Sequence, residues 1–326
     1  MKIVITAREF TAPGIDGSHI LTDAGYDVAE YCKGNYGVNT DADTMADLIG
    51  DADAAITGLE PINESVLKRC PNLKLISRRG IGYDSLKLDD LKKYGVSAVR
   101  TTGAVEGAVA EHVMAYIMHF ARHISEQNSI MHKGKWERIM TYGAKNHTLG
   151  IIGFGGIGKE TALRANGFGM RILYNCRHPQ IEWESKYNAE YAALKDIMRQ
   201  SDYISVCVPL TADTKELISR ELINLMKKDA VLINTARSAV VDNDALADAL
   251  KSRRIRGACI DVFDREPCTH SVFTDIENAV LTPHTASFTS ENFKAMNERA
   301  ARNVIDFFSN TIDERYIITK NRKDKL

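Results

Sequence analysis

No two cysteines in this chain are spaced as a redox or zinc motif. The six, Cys32, Cys70, Cys176, Cys207, Cys259 and Cys268, include no Cys-x-x-Cys pair, which argues against a zinc centre or a thiol–disulfide active site. Several lie in apolar runs such as Ile204–Val208, where a free thiol packs as a small hydrophobe. An excess of one charge is lacking as well: 42 Lys and Arg stand against 43 Asp and Glu, a formal net of -1. That balance gives no electrostatic case for nucleic acid or a membrane surface as partner. The short basic end, Lys320–Lys325, reads as a solvated tail. Long uncharged apolar runs are missing too. The most apolar stretch, Ala104 to Ala121, carries Glu106, Glu111 and His112, and a membrane span is rejected. The chain opens directly on a strand-like Lys2-Ile-Val-Ile5, which leaves no room for a signal peptide, so a reducing cytoplasm is expected. Repeats, low-complexity tracts and Pro/Gly linkers do not occur.

What is present is an ordinary globular composition, 44% hydrophobic and 26% charged, in 326 residues, a length that favours two domains. Short apolar runs alternate with helix-like segments. The first series of strands is expected at Lys2–Thr6, Asp27–Tyr31, Ala54–Thr57, Leu73–Ser77 and Val96–Val99. The second is expected at Thr148–Gly153, Met170–Asn175, Tyr203–Val208, Ala230–Asn234, Ala258–Ile260 and Ala279–Leu281. Such alternation predicts parallel sheets with right-handed crossovers. The expected fold is α/β with two Rossmann-like domains. Residues 1–101 plus 289–326 would form a flavodoxin-like substrate domain, and 102–288 a dinucleotide-binding domain. The apolar helix from Ala104 to Ile124 divides the two series; its broad apolar surface suits an inter-domain helix, and periodicity alone suits an ordinary core helix as well.

Leu149–Gly158 sets a hydrophobic strand directly before Gly153-Phe-Gly155-Gly156-Ile157-Gly158, and a helix directly after it. In this context Gly153 permits the sharp turn, Gly155 permits close approach of a pyrophosphate, and Gly158 permits tight helix–strand packing. The helix N-terminus then faces the phosphates. The next strand ends in Asn175-Cys176-Arg177-His178, with no acid to bond the ribose hydroxyls of NAD. Arg177, with His178 beside it, offers positive charge for a 2′-phosphate instead, so NADP is favoured. If Arg177 is only a surface residue, NAD binds as well.

Three stretches carry the candidate chemistry: Asn234-Thr-Ala-Arg237, Asp261–Pro267 and Leu281–Ala286. Arg237 follows a strand, where a guanidinium can clasp a substrate carboxylate with two parallel hydrogen bonds. His284 is the natural proton donor to a carbonyl as hydride arrives. Glu266 can bond the second ring nitrogen and favour the charged ring. Taken singly, each residue reads as structural; in combination they suit hydride transfer to a 2-oxo acid.

With these segments, and with Leu73–Asp84, Ala108–His112, Gly134–Trp136 and Val208–Thr211, the chain resembles the D-isomer-specific 2-hydroxyacid dehydrogenases over almost all its length. The resemblance implies Arg237 as clamp, His284 as acid/base and Glu266 as its partner. It implies that backbone at Arg79, Gly80, Ile81 and Gly82 meets the substrate carboxylate. Cys207, Pro209, Thr235, Ala236 and Asp261 would border the cofactor, Asp261 holding its carboxamide, and His284 would contact it too. A homodimer is implied, as is substrate lying where two domains close on it. Ser238 departs from the family's usual glycine and Cys207 from its frequent histidine. Metal is not expected. Glyoxylate or hydroxypyruvate is the favoured type of substrate. 3-Phosphoglycerate is the alternative, because Arg78 or Arg79 could meet a second anion. From another class, a dinucleotide-sensing corepressor would keep the same residues.

Overall fold

A computed structural model describes residues 1–34 and 36–319, so the basic tail lies outside the described residues. The chain divides into two compact units, Met1–Val105 with Phe288–Leu326, and Glu106–Ser287.

The first unit is built on β1 (Lys2–Ile5), β2 (Asp27–Glu30), β3 (Ala54–Thr57), β4 (Leu75–Arg78) and β5 (Ser97–Arg100). They pair in parallel in the order β2-β1-β3-β4-β5, the flavodoxin-like arrangement. Alternate residues face opposite sides. Val4, Ala55, Ile76 and Ala98 pack with residues of helices Ala42–Ile49, Glu64–Arg69 and Leu88–Lys93. Ile3, Ile5, Ile56, Leu75 and Val99 pack with Leu21 and with Ala300, Ala301 and Val304. These last three belong to helix Ser290–Phe308, capped by the Thr289 side chain, which accepts from the Asn292 amide. Both faces are covered, which is why the strands read as continuous apolar runs rather than alternating ones.

The second unit carries β6 (Thr148–Ile152), β7 (Arg171–Asn175), β8 (Ala189–Tyr191), β9 (Tyr203–Val206), β10 (Val231–Asn234), β11 (Gly257–Ile260) and β12 (Ala279–Leu281). All run parallel in the order β12-β11-β10-β9-β6-β7-β8. Strand order reverses between β6 and β9, and in open α/β sheets ligands bind beyond the carboxyl ends of strands at such a switch point. The sequence did not announce β8, an edge strand of three residues with Glu190 and Tyr191 exposed. Helix Glu106–Arg122 opens this unit. Its Val113, Tyr116, Ile117 and Phe120 share one apolar cluster with Leu149, Ile151, Ile172 and Ile233, so it is a core helix of the unit.

Candidate active site

The glycine turn follows β6 at the switch point. Gly153 has φ +103, and a Cβ there would lie 2.7 Å from the Cys207 backbone that follows β9. Only glycine satisfies both conditions. At Gly158 a Cβ would stand 2.2 Å from the Gly153 carbonyl oxygen, so helix Gly156–Gly167 can rest on β6 only without a side chain there. Gly155 differs: its φ is -82 and a Cβ would meet nothing within 4 Å. Among the described residues no packing requires glycine at that position, and its open face suits a ligand backbone at close range. The donor set therefore fits a dinucleotide pyrophosphate.

Beyond β7, Arg177 and His178 are exposed, and no acid stands at Asn175 or Cys176. Gln180, which no sequence motif marks, ties this segment to the turn by donating from Nε2 to the Phe154 carbonyl at 3.2 Å. On the other side of the crevice, the Cys207 amide donates to the Ile152 carbonyl at 2.7 Å. Burial pushes the Cys207 thiol up to about 11, partly offset by a hydrogen bond with Ser205.

After β10 the fully buried Asn234 side chain braces the turn. It donates to the Arg237 carbonyl at 3.0 Å and accepts from the Ala236 amide at 3.1 Å. Ser238 accepts from Asn243 Nδ2 at 2.8 Å, a brace that a glycine could not provide. Arg237 Nη1 donates to the Ala236 carbonyl at 2.7 Å. After β11, Glu266 spreads its carboxylate between two elements: Oε1 accepts from the Phe263 amide at 3.0 Å, and Oε2 lies 2.7 Å from His284 Nδ1. Burial pushes the Glu266 carboxyl up. The hydrogen bond and charge of His284, the Phe263 amide and the charge of Arg237 outweigh it, leaving the carboxyl below its ordinary value. Arg237, Glu266 and His284, from three separate stretches, are thus brought together. With Nδ1 committed to the carboxylate, Nε2 is the nitrogen left for proton transfer.

His284 has φ +53, a region that non-glycine residues enter only when their surroundings hold them. Asp261 supplies much of that hold. Fully buried, it accepts from Thr282 Oγ1 at 2.5 Å, the Thr285 amide at 2.8 Å and the Ala286 amide at 3.0 Å. A carboxylate has about four acceptor positions, so at most one is left for a cofactor carboxamide.

The four residues expected to meet a carboxylate through backbone divide in two. The Arg79 amide donates to the Thr57 carbonyl and the Gly80 amide to Thr101 Oγ1, both at 2.9 Å. These two amides already have acceptors inside the first unit. The amides of Ile81 and Gly82 meet no acceptor among the described residues. Both arginine side chains make contacts within their own unit. Arg78, buried, donates from Nη1 to the Arg79 carbonyl at 2.5 Å. Arg79 donates to the Arg8 carbonyl at 2.6 Å and stacks on Phe293, 4.7 Å from the ring centre. Burial lowers the Arg79 guanidinium to about 10, with Glu60 and Glu9 opposing. Among the described residues no cluster of His, Cys, Asp or Glu could hold a metal, and no helix is long and apolar enough to cross a membrane.

The family model described as D-isomer specific 2-hydroxyacid dehydrogenase, NAD binding domain, matches residues 114–286. The chain is 37% identical over 273 residues to a glyoxylate reductase of Thermococcus litoralis, covering 81% of this chain and 82% of that one. Among solved structures, the TT0316 protein of Thermus thermophilus superposes with a TM-score of 0.84 at 27% identity, over 98% of this chain and 100% of the other. An acyclic imino acid reductase solved with NADPH and D-Arg superposes with a TM-score of 0.85 at 25% identity, over 98% and 100% of the two chains.

Proposed function

Because the chain belongs to the D-isomer specific 2-hydroxyacid dehydrogenase family, we propose that it reduces a small, unphosphorylated 2-oxo acid of the glyoxylate or hydroxypyruvate type. As a member it is an NAD(P)-binding oxidoreductase acting between a hydroxyl and a carbonyl group. The reading is carried by the 2.7 Å contact of Glu266 with His284 Nδ1. That contact leaves Nε2 to give a proton to the carbonyl oxygen, or to take one back in reverse. Arg237 clasps the substrate carboxylate, and in the first unit the amides of Ile81 and Gly82 serve as an anion-binding pair. The nicotinamide supplies the hydride when bound. Gly153–Gly158 would hold its pyrophosphate, with Arg177 and His178 at the adenosine end. Cys207 and Pro209 would line its bed, and Thr235, Ala236 and Asp261 the carboxamide end.

Glyoxylate is supported by the relative from Thermococcus litoralis, a glyoxylate reductase. A phosphorylated substrate has less support, since Arg78 and Arg79 each already donate to a carbonyl of their own unit. NADP is favoured by the exposed Arg177 and by the missing acid after β7. A homodimer is supported by the segment after helix Glu106–Arg122. Helix Ile124–His132 buries no residue, and Trp136 and Met140 are 83% and 87% exposed, which is unusual for such side chains in a monomer. Six free cysteines suit a reducing cytoplasm.

The test is oxidation of NADPH and NADH by the purified protein with glyoxylate, hydroxypyruvate, pyruvate and 3-phosphohydroxypyruvate. Glyoxylate or hydroxypyruvate should give the highest kcat/KM. Absence of turnover with every 2-oxo acid would refute the enzyme reading, and preference for the phosphorylated acid would replace the substrate.

A further inference from the structure

Helix Glu106–Arg122 carries two ring-bearing polar side chains one turn apart, His112 and Tyr116, beside the apolar cluster that the helix helps to build. Residues four apart share a helix face, and both reach the same atom. Tyr116 is 4% exposed, and its hydroxyl lies 2.5 Å from Thr282 Oγ1; His112 Nε2 lies 3.4 Å from that oxygen. The two rings meet edge to face, with centres 4.5 Å apart.

The direction of these bonds follows from counting protons. Asp261 as a carboxylate can only accept, so the single hydroxyl proton of Thr282 goes to it. Thr282 then has only lone pairs to offer, and Tyr116 must donate to it. The chain runs Tyr116 to Thr282 to Asp261, and the same carboxylate receives the amides of Thr285 and Ala286. His284 lies inside this clasp, its amide donating to the Thr282 carbonyl at 3.0 Å while its backbone sits at φ +53. Burial holds His112 below its ordinary value against the pull of Asp261, which favours the neutral ring.

We propose that Tyr116 is a positioning residue for the reaction: its hydroxyl, acting through Thr282 and Asp261, sets the 282–286 segment and so the place from which His284 works. Tyr116 touches neither substrate nor cofactor in this reading. The proposal rests on His284 being the acid/base, and its test includes a readout that needs no turnover.

The experiment compares Tyr116→Phe, Thr282→Val and the double variant with wild type in 2-oxo acid reduction, with thermal unfolding as the control for folding. Tyr116→Phe keeps the ring and should lower kcat about fivefold, the size of one hydrogen bond, with KM for the 2-oxo acid and the cofactor within about twofold. Thr282→Val, which breaks both links, should lose about tenfold or more. Because Tyr116 acts only through Thr282, adding Tyr116→Phe to Thr282→Val should cost nothing further. Thr282→Ser, which keeps the hydroxyl, should recover kcat relative to Thr282→Val. Multiplying losses in the double variant, or an unchanged kcat in Tyr116→Phe, would overturn the proposal. Carbethoxylation of His284 by diethylpyrocarbonate, followed by peptide mass spectrometry, reads the same positioning without substrate. Its rate should change in Tyr116→Phe even if no 2-oxo acid is turned over, and an unchanged rate overturns the proposal whatever the fate of the enzyme reading.

Discussion

Gly155 and Gly158 stand three residues apart in one turn, yet alanine should do opposite things at the two positions. At Gly158 the new methyl would lie 2.2 Å from the Gly153 carbonyl oxygen and 3.2 Å from Ile151 Cγ2. The first neighbour is backbone, so the helix must lift off β6 by about 1 Å to restore ordinary contact. Overpacking of this kind costs up to about 3 kcal/mol, a fall in Tm of roughly 6–12 °C for a unit of this size. At Gly155 the methyl meets nothing within 4 Å and the backbone, at φ -82, admits alanine freely. Folding stability should stay level or rise by up to about 1 kcal/mol, since the unfolded chain loses freedom. The methyl would nevertheless fill the face open to the pyrophosphate, and NADPH should bind at least about tenfold more weakly, or ~1.4 kcal/mol. Differential scanning fluorimetry with and without NADPH, together with a fluorescence titration of the cofactor, separates the two effects. Gly155→Ala should match or slightly exceed wild-type Tm without ligand and lose most of the ligand-induced rise; Gly158→Ala should fall before any ligand is added. Equal apo Tm losses in both variants, or wild-type NADPH affinity in Gly155→Ala, would refute the division of labour in the turn.

His284→Ala should lower kcat by about 10²–10⁴-fold with the cofactor Kd retained; near-normal turnover in steady-state assays would remove His284 from proton transfer. Arg177→Ala should weaken NADPH about ten- to a hundredfold, through loss of a charge-assisted contact of roughly 1.5–3 kcal/mol, and NADH much less. Added salt should shrink the wild-type preference, and equal losses for both cofactors in KM measurements would reduce Arg177 to surface charge. Glu266 is held below its ordinary value, so its stabilising contribution is complete above that ordinary value and disappears as pH falls through the lowered one. The Tm difference between wild type and Glu266→Gln should therefore narrow on going from pH ~7 to ~3, and a constant difference would contradict the ion pair. Cys207, pushed up to about 11 by burial, should remain a protonated thiol near neutrality and react with iodoacetamide far more slowly than an exposed cysteine; rapid alkylation at pH ~7.5, followed by mass spectrometry, would contradict this.

The parallel strands were legible because strands covered on both faces are apolar at nearly every position, as in Ala54–Thr57 and Val231–Asn234. Their ends were less so: apolar sequence starts at Leu73 and Val96, but the ladders start at Leu75 and Ser97. β8 escaped notice because an edge strand needs no apolar run, and Ala-Glu-Tyr gives none. Arg237, Glu266 and His284 were legible as residue types in stretches that follow strands. The partners that hold their segments were not, since Tyr116 and Thr282 are 166 residues apart and no local pattern joins them. The i,i+4 spacing of His112 and Tyr116 is visible, but in so broadly apolar a helix it gives no sign of what the two side chains reach. Nor could sequence tell which amides of 79–82 are spent at home, because Thr57 and Thr101 reach them only through the fold.

The first unit is assembled from two segments of the chain that are far apart in sequence. Residues Ile3, Ile5, Ile56, Leu75 and Val99 on one face of its sheet are covered by Ala300, Ala301 and Val304. Hydrogen bonds from Ser77 Oγ to the Ala300 carbonyl, from Asn297 to the Phe10 and Ile15 carbonyls, and from Asn303 to the Arg100 carbonyl fasten that cover. During synthesis all five strands leave the ribosome before helix Ser290–Phe308 exists. At ~5–20 residues per second, a half-covered sheet waits about 10–40 s for its lid. The intervening unit, Glu106–Ser287, is contiguous and is fully synthesised before that helix begins. The cover of the first sheet is therefore made only after the whole of the intervening unit.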